Sequence, residues 1–327
     1  MASAPVPSGF RRLHGFTVPD SFTPAPNTAE SREVVYSSII NTARAFMRFQ
    51  KLDITVEGAE NYPTETGAMI VVNHTGYFDF VYSGVPAFLN GGRLVRFMAK
   101  QEIFDDKVAG PLMRGCKHIP VDRFNGAGAL DEAIRRLRNG ALVGIFPEAT
   151  ISRSFELKEF KSGAARIAKE AGVPLIPVTI FGSQRVWTKG QPKHLGRWPV
   201  PVWLRVGEAV MPSDDANETN DRLHAVMTEQ LDQLKKDYED RYGPFAGGEP
   251  WLPKSMGGSA PTLEVAGAED VEEREAKRIA REKKLAENES GGSGKHRKKG
   301  PLASNAGKIG IAAGVAGLAA LLIKRKK

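Results

Sequence analysis

The run Asn73-His74-Thr75-Gly76-Tyr77-Phe78-Asp79 sets an imidazole and a carboxylate five residues apart. A carboxylate that accepts a hydrogen bond from one ring nitrogen fixes the imidazole tautomer. The other nitrogen can then take a proton from a hydroxyl. Spacing restricts how the two groups meet, because each helical residue turns about 100° and positions five apart lie about 140° apart. His74 must therefore sit on the turn that enters a helix, with Asp79 in the first turns, and Gly76 permits such a turn. By spacing alone the pair also fits a helix-capping Asp beside a partly exposed His.

The surrounding pattern supplies the elements that would hold this turn. Short apolar runs at 68–72, 94–98, 118–121, 141–146, 174–180 and 202–206 read as strands. Helical stretches lie between several of them: 128–139 stops at Gly140 and 161–171 stops at Gly172. A further helix spans about 220–242. Strand–helix alternation of this kind predicts an α/β domain, with a mixed, largely parallel sheet flanked by helices. Upstream, residues 1–26 are rich in Pro, Ser and Thr and read as loop-like or extended. Asn27 and Glu30 resemble an N-cap pair, followed by an amphipathic helix at 31–50 with Arg44, Arg48 and Lys51 beside its apolar stripe.

Charge is unevenly distributed. Residues 1–250 hold 30 Lys/Arg against 29 Asp/Glu, residues 251–290 hold 7 against 9, and residues 291–327 hold 9 against none. The net charge of +8 therefore belongs to a flexible basic C-terminal tail. Residues 268–289 are mostly charge and Ala, which fits an exposed single helix or disorder. Residues 309–323 are uncharged and apolar or Gly, and four cations follow. As a helix this stretch spans about 22 Å, short of the roughly 30 Å hydrocarbon core, so a tail lodged in one leaflet and held by anionic lipid is expected. A lone cysteine, Cys116, excludes an internal disulfide framework and fits a reducing compartment. The N-terminus shows no secretory pattern. The chain has no Gly-x-Ser-x-Gly elbow, no Walker loop and no Cys-x2-Cys pair, and with one thiol a multi-thiolate zinc site is excluded.

With its context, His74–Asp79 resembles the His-x4-Asp motif of the glycerolipid acyltransferase family typified by 1-acylglycerol-3-phosphate acyltransferase. Three further blocks follow in family order: Gly115–Arg123, Phe146-Pro147-Glu148-Ala149-Thr150, and Val173-Pro174-Leu175-Ile176-Pro177-Val178. The resemblance implies His74 and Asp79 as catalytic groups and Arg123 as a ligand of acceptor phosphate, a role that suits a guanidinium. Glu148, Thr150, Arg153 and Lys100 are further acceptor-side candidates, and Val173, Pro174, Ile176 and Pro177 would shape the acyl site. Each has a plainer alternative: Arg123 a surface partner of Asp122, Glu148 a loop cap, Lys100 and Lys161 solvated lysines. His118, within an apparent strand, reads as structural. Two positions depart from the family. Ala149 stands for a Gly, and Ile151 for an Arg, so either Arg153 substitutes or the acceptor differs.

The implied reaction moves a fatty acyl group from acyl-CoA or acyl carrier protein to the hydroxyl of 1-acylglycerol-3-phosphate, giving phosphatidate. It requires no metal and no redox cofactor. Alternatives are the same chemistry on glycerol-3-phosphate, another lysophospholipid or a glycolipid, a phosphoester hydrolase, and a non-catalytic membrane or nucleic-acid scaffold. The expected domains are a flexible segment at 1–30, an acyltransferase domain at 31–250 whose 31–50 helix lies against membrane, a charged disordered linker at 251–306, and an apolar-basic membrane tail at 307–327. The expected partners are membrane lipids and the acyl thioester donor, with acyl carrier protein as one form of it. Lys295–Lys299 could touch nucleic acid, but no specific nucleic acid is expected. The expected location is the cytoplasmic face of the cell membrane, peripheral or tail-anchored.

Overall fold

The structure, a computed structural model, describes residues 6–122 and 127–290; the basic tail expected at 307–327 lies outside them. Nine strands, β1 (Phe10–Leu13), β2 (Phe16–Pro19), β3 (Asp53–Glu57), β4 (Ala68–Val72), β5 (Val95–Lys100), β6 (Ile119–Val121), β7 (Leu142–Ile145), β8 (Leu175–Phe181) and β9 (Pro201–Val206), form one sheet. Its order is β1-β2-β3-β9-β8-β4-β7-β5-β6. The helices are α1 (Val34–Gln50), α2 (Asp79–Tyr82), α3 (Val85–Leu89), α4 (Gln101–Phe104), α5 (Ala109–Gly115), α6 (Ala127–Arg138), α7 (Gly163–Ala171), α8 (Ala216–Tyr242) and α9 (Leu263–Ser290).

The sequence of β4, Ala-Met-Ile-Val-Val, is apolar at every position because both faces of the sheet are covered. Ala68, Ile70 and Val72 pack with Ala43 and Met47 of α1 and with Tyr82 and Val85. Met69 and Val71 pack on the other side with Leu137 of α6, Ile167 of α7 and Leu231 of α8. Burying each large aliphatic side chain here contributes about 1.5–3 kcal/mol. The result is a helix–sheet–helix stack with the sheet as the shared core. The expected mixed, largely parallel sheet is what the chain forms: β8, β4, β7, β5 and β6 are mutually parallel, and only the β1–β2 and β8–β9 ladders are antiparallel. All five parallel strands deliver their C-terminal loops to one edge, where α/β folds place their sites.

Several expectations change. Residues within 1–30 are not simply loop: β1 and β2 form a hairpin, Thr17 pairs with Thr55 of β3, and Phe16 and Val18 are buried in the core. Asn27 and Glu30 do not cap α1, whose N-cap is Glu33. Glu30 instead reaches Arg93 Nη2 at 3.1 Å and the Leu94 amide at 2.8 Å. α1 lays Ala43 and Met47 on the sheet and donates Tyr36 Oη to the Val95 carbonyl, 2.8 Å, while Val34, Val35 and Phe49 face solvent. Residues 251–290, expected as a disordered charged linker, pack Leu252 into the core and form α9. That helix is docked through a buried Ala266 and an array of carboxylate–cation pairs, which composition alone cannot reveal.

The turn leaving β8 is the tightest backbone junction near the edge described above. Gly182 has φ +92°, and a Cβ there would lie 2.3 Å from the Pro201 carbonyl oxygen. Gly182→Ala is expected to lower the unfolding free energy by about 2–4 kcal/mol, read as a lower midpoint in urea.

Candidate active site

The chain leaves β4 at Val72, and Asn73 locks the exit. Its Oδ1 accepts the Ile180 amide at 2.7 Å and its Nδ2 donates to the Ile180 carbonyl at 3.1 Å, which fastens the end of β4 to β8. His74 lies on the turn and Asp79 is the first residue of α2, so the two side chains face each other. His74 Nδ1 is 3.0 Å from Asp79 Oδ2. The same oxygen accepts the Thr75 and Gly76 amides at 2.7 Å each, and Oδ1 accepts Ser183 Oγ at 2.6 Å. Asp79 therefore grips the turn behind it instead of only capping the helix ahead. Gly76 does not adopt a left-handed conformation; its use is space, since a Cβ would sit 3.1 Å from both the carbonyl oxygen and Oγ of Ser183.

Because Asp79 is fully buried and already an acceptor on both oxygens, the Nδ1 of His74 is the donor. The lone pair then resides on Nε2, which has no hydrogen-bond partner among the described residues. Phe146 stacks on the imidazole with centroids 4.0 Å apart and planes 19° apart, and Phe97 stacks beneath Phe146. Ring plane and tautomer are thus both set before any substrate arrives. This is the arrangement of a hydroxyl-activating general base.

Glu148 was expected near acceptor phosphate, and the structure corrects that. It is buried, with Oε1 accepting the His74 amide at 2.7 Å and Oε2 accepting the Lys158 amide at 3.2 Å. What it does is tie the His74 turn to the loop after β7. Burial pushes its pKa up to about 8, against the lowering by the His74 and Lys158 amides and the Lys158 charge. Ser152 completes the tie, donating its amide to the His74 carbonyl at 2.7 Å. Within this loop Ala149 has φ +63°, the left-handed region where the related motif carries Gly. Ile151 points into the core, so the cation of this loop is Arg153.

The other sequence candidates are placed as follows. Arg123 lies outside the described residues. Lys100 ends β5 on the same edge as His74 and is half-buried, whereas Lys161 is exposed. Thr150 and Arg153 stand beside the loop, but their partners are carboxylates of α9: Thr150 Oγ1 reaches Asp270 at 3.2 Å, and Arg153 pairs with Glu269 and Glu273. Val173, Pro174, Ile176 and Pro177 are not brought to the site. Val173 and Pro174 precede β8, while Ile176 and Pro177 lie within it, paired with Ile70 and Val71 of β4, and Ile176 and Val173 are core residues on opposite faces. What the structure shows for Val173 and Ile176 is core packing. His118 is structural, since its Nδ1 accepts the Phe97 amide at 2.9 Å; burial, with Arg96 and Arg136, drives its pKa down to about 3. Sequence reading missed Ser183 and Thr188, which donate to Asp79 and to the Thr75 carbonyl from over 100 residues away. It also missed Lys158 and Lys189, and no local motif marks any of the four.

Among the described residues there is no group of three or more His, Cys, Asp or Glu that could hold a metal, and no helix long and apolar enough to cross a membrane.

Residues 53–181 match the acyltransferase family model. The chain is 31% identical over 192 residues to the 1-acyl-sn-glycerol-3-phosphate acyltransferase of Bacillus subtilis, covering 58% of this chain and 89% of that protein. It is 32% identical over 153 residues to the chloroplastic 1-acyl-sn-glycerol-3-phosphate acyltransferase LPAT1 of Arabidopsis thaliana, spanning 46% of this chain and only 42% of that one. The crystal structure of the 1-acyl-sn-glycerophosphate (LPA) acyltransferase PlsC from Thermotoga maritima superposes with a TM-score of 0.51 at 29% identity, over 63% of this chain and 81% of that one.

Two outcomes follow from the loop after β7. Ala149→Gly relieves the left-handed strain and should raise stability by about 1 kcal/mol, measured by thermal melting. Glu148 has a folded pKa raised from the usual 4.5 to about 8, so the native state keeps a proton that the unfolded chain has lost. Stability should therefore fall as pH rises through that window, and Glu148→Gln should flatten the fall in urea titrations across it.

Proposed function

Because the chain belongs to the glycerolipid acyltransferase family typified by 1-acyl-sn-glycerol-3-phosphate acyltransferase, we propose that it acylates the free hydroxyl of 1-acylglycerol-3-phosphate to give phosphatidate. The acyl donor in this reading is a thioester, of CoA or of acyl carrier protein. His74 Nε2 takes the hydroxyl proton as the oxygen attacks the thioester carbonyl. The C–S bond of the tetrahedral intermediate then breaks, and the imidazolium returns the proton to the departing thiolate. Asp79 stabilises the imidazolium and holds the tautomer that makes Nε2 the base.

The observation that carries this reading is the 3.0 Å contact between His74 Nδ1 and a buried Asp79 that is itself held by three other donors. A mainly apolar cleft beside α1 supports an apolar substrate. Its walls include Tyr36, Ile40, Met47, Val81, Phe88 and Met113, and Val81 is two residues from Asp79. The three exposed apolar side chains of α1, Val34, Val35 and Phe49, support contact with a lipid surface at the same face of the domain. Ile151 in place of an Arg favours testing other phosphate-bearing acceptors alongside.

The test is thioester-dependent acylation with both donors over a panel of 1-acylglycerol-3-phosphate, glycerol-3-phosphate, a zwitterionic lysophospholipid and monoacylglycerol. Preference for the first acceptor is expected. His74→Ala should cost at least about 10³-fold in kcat. Asp79→Asn keeps an acceptor toward the turn but loses the charge, and should cost about 10²–10⁴-fold. Near-normal turnover by the His74 variant, or release of phosphate without a donor, removes this mechanism.

A further inference from the structure

Three cations stand around the His74 turn, each tied to it through backbone. Arg153 follows Ser152, whose amide donates to the His74 carbonyl. Lys158 donates its amide to Glu148, which accepts from His74. Lys189 follows Thr188, whose hydroxyl donates to the Thr75 carbonyl at 2.6 Å. The charged ends of Lys158 and Lys189 meet one anion, the carboxylate of Asp270 on α9. Its Oδ2 takes Lys158 Nζ at 2.7 Å and Thr150 Oγ1 at 3.2 Å, and its Oδ1 takes Lys189 Nζ at 3.2 Å. Glu273 pairs with Arg153 and Lys189, and Glu269 with Arg153. Three positive groups thus face three negative ones.

We propose that Lys158 and Lys189, with Arg153 and Thr150, form the binding site for the phosphate of the acceptor, and that the carboxylates of α9 occupy it until a phosphate monoester displaces them. The proposal rests on the phosphate-bearing acceptor named above. Chemically, Asp270 stands in for phosphate: two oxygens of one anion share two ammonium groups and a hydroxyl, which is the donor set a phosphate monoester would use. Nε of Arg153 is buried and has no acceptor among the described residues, so the guanidinium retains donor capacity that the carboxylates leave unused.

The hold of α9 is of a kind that can be exchanged. Near the site its one buried apolar side chain is Ala266, while Val265 and Val271 face solvent. The remaining attachment is ionic: Asp270 is buried at 8% side-chain exposure between Lys158 and Lys189, while the outer carboxylates Glu269 and Glu273 form partly exposed pairs at 44% and 30%. Such pairs are screened by salt and exchange readily for a stronger anion. A site populated only when α9 is lifted has an apparent affinity reduced by the open fraction. Of the groups involved, α9 falls outside the residues matched to the family model, whereas Thr150, Arg153 and Lys158 lie within them.

The test uses the full chain. KM and kcat are measured for 1-acylglycerol-3-phosphate and for monoacylglycerol in the native protein, in Asp270→Asn, and in Glu269→Gln/Asp270→Asn/Glu273→Gln. If the carboxylates compete with phosphate, KM for the phosphate acceptor falls, on the order of tenfold in the triple variant, while KM for monoacylglycerol does not move. Lys158→Gln and Lys189→Gln should raise KM for the phosphate acceptor alone, with kcat largely retained. Independently of any variant, saturating 1-acylglycerol-3-phosphate should speed amide hydrogen exchange in residues 263–275 of the native chain. An unchanged or raised KM in the carboxylate variants, or slower exchange in α9 on adding acceptor, means α9 is a fixed part of the fold and overturns the displacement. If the native chain uses both acceptors equally, the phosphate reading itself fails, which separates the two errors.

Discussion

A fully buried carboxylate organises this molecule's chemistry. Taking an ionised Asp out of water costs several kcal/mol unless donors surround it. Asp79 meets four: the ring of His74, the amides of Thr75 and Gly76, and the hydroxyl of Ser183. Each donor comes from a segment that must be in register for the set to close. The Asn73 clamp aligns β4 with β8, the turn after β8 delivers Ser183, and the start of α2 delivers Asp79 itself. Satisfying the carboxylate and orienting the imidazole are therefore one structural act. This is why the reactive ring can sit on a turn, ordinarily a compliant place, and remain rigid.

The loop after β7 repeats the logic with a second buried acid. Glu148 accepts backbone amides from His74 and Lys158, and Phe146 stacks on the imidazole. The loop adopts a conformation that costs Ala149 left-handed strain of about 1–2 kcal/mol. That cost is tolerated because the amide and ring contacts over-determine the backbone. Arg153 and Lys158 are carried on the same stretch. The proposed base and the proposed anion site are thus tied to one stretch of backbone.

Electrostatics divides the chain in an informative way. The body is close to neutral, yet cations gather beside the reactive turn and are balanced by carboxylates arriving from α9. Local clustering, and not net charge, is what an anionic substrate would meet. On the other face of the sheet, α1 places part of its apolar stripe on the core and leaves part exposed, so one helix both closes the fold and offers a greasy surface. The apolar cleft lies between α1 and the α2–α3 segment, which begins at Asp79.

Local periodicity sufficed for the sheet class, six of the nine strands and four helices of the domain, α1, α6, α7 and α8, because runs such as 68–72 and 174–180 can be satisfied only when both sheet faces are covered. The His74–Asp79 pairing was also legible, since a five-residue spacing after a strand leaves few ways for the two groups to meet. What the linear pattern could not carry were contacts made across long separations. Ser183 reaches Asp79 over 104 residues, and Asp270 reaches Lys158 over 112. The hairpin at 10–19 hid in a Pro-rich segment because its pairing partner, β3, supplies the stabilisation. Charge-rich α9 reads as disorder until the cations it docks against are assembled in space. Glu148 and the block at 173–177 show the same limit from the other side. The resemblance suggested ligand contact for both, while the fold turned the acid toward backbone amides and placed the block in and just before β8. Sequence determined which groups can react; only the fold decided which of them face one another, because facing depends on register and burial between segments far apart in the chain.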